Sequence, residues 1–109
     1  MVILVLFRSR LSERADKEYD ITEDRLARRV RELAGDDLVH IKNYTSDDGE
    51  RLALVWWRNP ETLERWRTDP EHQEAQQLGR EQWYSFYELT VAEVIRTSSG
   101  EDASRYPSR

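Results

Sequence analysis

The chain has 109 residues, 36% of them charged and 38% hydrophobic, with no cysteine. That length holds one core and excludes a multidomain plan, while 4 Trp, 5 Tyr and 2 Phe supply more bulky apolar surface than a disordered chain carries. Its 17 basic against 22 acidic side chains leave a formal charge of -5, which repels nucleic-acid phosphates and anionic headgroups, and the missing thiols exclude disulfides, thiolate metal sites and cysteine nucleophiles.

Val2 to Phe7 is an apolar, β-branched and aromatic run that reads as a strand covered on both faces and halted by Arg8, Ser9 and Arg10. It has no basic segment before it, no small-residue cleavage site after it and too few residues to span a bilayer, which points to a cytoplasmic protein. From Ser12 to Leu33, the residues Ala15, Tyr19, Thr22, Leu26, Val30 and Leu33 recur every three or four positions, predicting an amphipathic helix that Gly35 ends. Leu38 to Tyr44 and Arg51 to Trp57 are strand-like, and the loop chemistry of Ser46 to Gly49 predicts that they pair antiparallel. Asn59-Pro60 and Asp69-Pro70 each give a cap followed by proline at a first helical position, so two successive helices are expected. Tyr84 to Ile95 then reads as a long strand, before a loose polar tail from Thr97 to Arg109.

This order predicts a four-stranded antiparallel sheet with helices on one face, the ferredoxin-like α+β arrangement, over residues 1–96, with residues 97–109 as the tail. The first and third strands are apolar at both parities, yet the helices of so short a chain can cover only one face. Leaving several large side chains wet forgoes roughly 1.5–3 kcal/mol each, so a second copy of the chain is expected on the other face, as a homodimer.

A helical wheel from Pro70 places Ala75, Gln76, Gly79 and Trp83 near His72, which therefore faces inward. Ala75 and Gly79 leave room between helix and sheet, and Trp66, Trp83, Phe7 and Tyr87 are the expected walls of an aromatic cavity with His72 and Gln76 as its polar groups. The competing reading makes His72 a core residue bonded to a backbone carbonyl, and Gly79 a device for close packing. His40, the other histidine, reads as surface or dimer interface. No His-x-x-x-His pair, glycine-rich phosphate loop or Gly-x-Ser-x-Gly elbow is present, and the third strand lacks the basic, glycine-containing signature of RNA-recognition modules.

The segment Trp57 to His72, followed by Gln76 to Trp83 and Tyr84-Ser85-Phe86-Tyr87, resembles the antibiotic biosynthesis monooxygenase (ABM) domain family over roughly residues 1–96. The resemblance implies a dimeric α/β barrel and, for some members, oxidation of aromatic phenols to quinones by molecular oxygen, with neither flavin nor metal. Carried onto this chain, His72 would orient or deprotonate the substrate hydroxyl as the catalytic residue, Gln76 would bond a carbonyl, and Trp66 and Trp83 would stack on the ring, with no cofactor. Other relatives degrade haem through a histidine and an asparagine, where this chain has Gln76 and Phe7, so haem degradation is disfavoured. The alternative to a monooxygenase is a noncatalytic small-molecule-binding or interaction module of the same fold.

Overall fold

A computed structural model describes residues 1–100; positions 101–109 of the predicted tail lie outside the described residues. In chain order the elements are β1 (Val2–Leu11), α1 (Lys17–Ala34), β2 (Leu38–Thr45), β3 (Arg51–Trp57), α2 (Pro60–Arg67), α3 (Pro70–Leu78) and β4 (Tyr84–Val94), with a 3-10 turn at Gly35–Asp37 and a π-helical turn at Gly79–Trp83. The strands form one sheet in the order β2-β3-β1-β4, every neighbouring pair antiparallel. This is the ferredoxin-like α+β fold that the element order predicts.

Two boundaries differ from the sequence reading. β1 continues through Arg8, Ser9 and Arg10 to Leu11. Arg8 finds carboxylates on either side, forking onto Glu50 at 2.9 and 3.1 Å and reaching Glu88 on β4 at 3.0 Å, while Arg10 pairs with Asp48 at 2.6 Å. The charges that looked like a stop signal therefore cross-link the strand to its neighbours. α1 starts at Lys17 rather than in the Ser12 to Ala15 stretch, because Asp16 caps it by accepting the Glu18 N–H at 3.1 Å and Glu18 and Asp20 favour its N-terminal dipole.

Both proline-led helices form as their caps predict. Asn59 accepts the Glu61 N–H at 2.9 Å and Asp69 accepts the His72 N–H at 3.1 Å. The buried Asp69 carboxylate also takes both prongs of Arg29 from α1, at 2.9 and 2.7 Å, tying the first helix to the third. Arg29 favours the ionised form of Asp69 and holds its carboxyl below the usual aspartate value.

The helix-facing side of the sheet changes character along its length. Ile3, Trp57 and Leu38 lie in one cross-strand row, followed by Val5, Val55 and Ile41, then Phe7, Ala53 and Asn43, and finally Ser9, Arg51 and Thr45. The first two rows pack on Val30, Ala34 and Trp66, and Trp57 is only 1% exposed. In the last two rows Ala53, Asn43, Ser9 and Thr45 stand beside Phe7 and Arg51 and fill less of the space under the helices.

On the opposite face, Leu4, Leu6, Leu52, Leu54 and Trp56 alternate outward from β1 and β3, and His40 sits against Trp56 with ring centroids 5.4 Å apart. The helices of this chain lie on the other side of the sheet. No helix among the described residues is long and apolar enough to cross a membrane.

Candidate functional site

Between the helices and the small-residue rows of the sheet lies a hollow of about 570 Å³, in the range of small-molecule sites. All six residues singled out from the sequence, Phe7, Trp66, His72, Gln76, Trp83 and Tyr87, line it, as does Ala75. Gly79 does not, so of its two expected parts, making room and permitting close packing, the first is set aside. A Cβ there would lie 2.5 Å from Cε2 and 2.9 Å from Cδ2 of Tyr84, so the glycine admits that ring against the π-helical turn. Ser12 locks the turn to the end of β1 by donating its N–H to the Trp83 carbonyl at 2.7 Å and its hydroxyl to the Gln82 carbonyl. A shallower depression along Leu4 and Ala92 to Arg96 brings no comparable set of polar groups together.

His72 is half-buried in the hollow wall. Its ring stacks on Trp66, with centroids 4.1 Å apart and planes 15° from parallel. Nδ1 lies 3.0 Å from the Trp66 carbonyl oxygen, which can only accept, so the bond assigns the proton to Nδ1 and leaves Nε2 with its lone pair. The backbone-carbonyl bond of the competing sequence reading is therefore present, and the ring still borders the hollow. Burial pushes the imidazole below its ordinary value, against smaller opposing effects of the Trp66 carbonyl and Asp69, which keeps it neutral at pH 7. Asp69, three residues earlier, fixes the main chain of His72 rather than its ring.

The other end of the hollow was not legible as a site. Tyr19 and Tyr84 meet edge to face at 6.2 Å, and Tyr19 also packs on Trp83 and Tyr84 on Phe7, each at 5.4 Å. Arg51 lies over Tyr19, 5.7 Å from the guanidinium carbon to the ring centroid. Glu23 reaches solvent at the mouth, yet loss of water around its carboxyl holds it above the ordinary value despite the pull of Arg51. Burial raises both phenols, Tyr84 far enough that it stays protonated at any physiological pH. Glu23 and Arg51 did carry a signal: Tyr19, Glu23 and Ala27 recur at i, i+4 and i+8, and Arg51 shares the parity of Ala53, Val55 and Trp57.

The open side of the hollow runs along β4, where Tyr87, Leu89 and Val91 are exposed although they face the helix side. Among the described residues, no three His, Asp or Glu side chains are gathered as metal ligands.

Fold and site together define a ferredoxin-like α+β domain with an aromatic, histidine-bearing hollow under its helices. No protein-family model matches the chain. The uncharacterized protein YqjZ of Bacillus subtilis is 30% identical over 92 residues, covering 84% of this chain and 78% of YqjZ. Rv0793 from Mycobacterium tuberculosis superposes with a TM-score of 0.73 at 20% identity, over 91% of this chain and all of its own. SnoaB, a cofactor-independent oxygenase from Streptomyces nogalater, gives 0.70 at 13% identity over 88% and 95% of the two chains. A Deinococcus radiodurans protein assigned by name to the antibiotic biosynthesis monooxygenases gives 0.70 at 16% identity over 93% and 99%. The chain belongs to one family with YqjZ, and its fold is that of the antibiotic biosynthesis monooxygenase domain.

Proposed function

We propose that the chain is a cofactor-independent oxygenase that oxidises the phenol of a small, lipophilic aromatic compound held in the hollow. One observation carries this reading: an imidazole pinned by the Trp66 carbonyl through Nδ1, whose other nitrogen has no partner among the described residues, on the wall of an aromatic-lined space. His72 Nε2 accepts the hydroxyl proton, and the resulting phenolate ring supplies the electrons that molecular oxygen takes up. A carbon–oxygen bond forms on the ring and water leaves, so that a phenol and one O2 give a quinone and one H2O with no outside reductant. Gln76 holds a substrate carbonyl, while Trp66, Trp83, Phe7 and Tyr87 pack against the rings. The likeness in fold to SnoaB supports the reaction class. A second copy of the chain covers the helix-free face, with His40 and Trp56 in the contact, giving a homodimer.

Oxygen uptake with a panel of hydroxynaphthalenes and dihydroquinones tests the reading. One O2 consumed per substrate is expected, with a fall of about 10²-fold in His72→Ala. Background uptake across the panel, or an unchanged rate in that variant, ends it. The bond from His72 to the main chain equally supports a second reading, a noncatalytic binding module, in which the same compounds bind saturably and leave unchanged.

A further inference from the structure

Glu23 and Arg51, on the part of the hollow remote from the Trp66–His72 stack, have no part in the reaction above. Arg51 enters the hollow from the last cross-strand row of the sheet, between Ser9 on β1 and Thr45 on β2. None of the ion pairs among the described residues includes Arg51, although Arg8, Arg10, Arg29 and Arg67 all have carboxylate partners. What holds the guanidinium is the face of Tyr19, which fixes its plane without using its N–H donors. A half-buried guanidinium with unspent donors, beside hydroxyl-bearing Thr45, Tyr19 and Tyr84, is the arrangement that binds a carboxylate in a fork.

The charge balance agrees. The lining holds Arg51, Arg67 and Arg80 against Glu23 and Glu64, and Glu64 is taken by Arg67. A chain of formal charge -5 therefore turns a net positive lining toward the hollow. Among the described residues of the lining, Glu23 is the carboxylate left to oppose an anion there.

We propose that Arg51 is the specificity-determining residue of the hollow and selects an aromatic ligand bearing a carboxylate, seated with that group at Arg51 and its ring toward Trp66 and His72. This rests on the hollow being a ligand site, as the proposed function requires. Glu23 sets the strength of the selection, because its charge works against the incoming anion.

The test compares 1-hydroxy-2-naphthoate with 1-hydroxy-2-naphthamide, which have nearly the same shape and differ in charge, by calorimetric titration of the full chain without oxygen. The carboxylate is expected to bind about tenfold or more tighter than the amide. Arg51→Met brings the ratio close to one and leaves amide affinity within about twofold, Arg51→Lys keeps part of it, and Glu23→Gln widens it. Equal affinities in the wild-type chain overturn the proposal while leaving the hollow a ligand site, and that comparison needs no variant to fold. A ratio that survives Arg51→Met also overturns it. Binding of neither compound removes both the proposal and the reading beneath it.

Discussion

The two ends of the helix-facing sheet surface share strands, register and helix cover, and differ in what they hold. At the Ile3–Trp57–Leu38 end, large apolar side chains pack on Val30, Ala34 and Trp66, and the hollow reaches only the inner edge of that cluster, at Trp57, Val30 and Trp66. At the Ser9–Arg51–Thr45 end, smaller or more polar side chains under the same helices leave a hollow bordered by aromatic edges and by Arg51, which has no ion-pair partner among the described residues. The backbone plan is therefore common to both ends, and the size and polarity of the side chains grade the molecule from a packed part that holds it folded to an open one. Val30, Trp57 and Trp66 belong to both, packing into the core and bordering the hollow, and Trp66 carries His72 on its ring.

That division can be broken first at its filled end. Trp57→Ala removes the most deeply buried large side chain and should cost about 3–5 kcal/mol in a urea or thermal unfolding curve. A cost as small as that of a change in the hollow would show that the two ends do not differ. Asp69→Ala takes away the α3 cap and orphans Arg29, for a loss of about 2 kcal/mol. The Asp69 carboxyl titrates below its ordinary value in the folded chain, so its stabilisation is whole at neutral pH. It is lost as the pH falls through the ordinary aspartate range toward the lowered value, and the variant should lose that acid dependence. Gly79→Ala pushes a methyl into Tyr84 and should cost about 1–2 kcal/mol, because the ring sits between Phe7 and Tyr19 and cannot step aside freely. An unchanged midpoint would mean that the π-helical turn yields instead.

The smaller effects belong to the hollow. Burial lowers the His72 value, so the folded chain binds that proton less readily than the unfolded chain. His72 leaves stability untouched above about pH 6.5 and reduces it as the pH drops below, and turnover should be level through neutrality and fall on the acid side as Nε2 protonates. His72→Ala should remove the acid-side loss of stability along with the activity. Ala53→Leu, which builds into the hollow between Phe7 and Asn43, should change the unfolding free energy by less than about 0.5 kcal/mol.

The packed core and the His72 side of the hollow were readable, and the Arg51 side was not. Apolar runs and proline-led caps announce themselves locally, and the wheel from Pro70 needed no partner to turn His72 inward. Arg8 and Arg10 misled because the carboxylates that hold them in β1 come from Glu50, Glu88 and Asp48, far away in the chain. The choice between the two readings of Gly79 stayed open for a related reason: the ring it admits belongs to the next strand. Glu23, Arg51 and Tyr84 escaped notice because a charged residue or a tyrosine at an inward position looks like any other until the register sets Arg51 over Tyr19.

Calorimetric titration of 1-naphthol into the wild-type chain and into Ala53→Leu, without oxygen, tests most directly whether the emptiness beside His72 is there to be filled. The account predicts one site per chain in the wild type, and at least a tenfold weaker affinity in a variant that unfolds at the same midpoint. Absence of binding up to millimolar naphthol, or equal affinity in the two proteins, would contradict it.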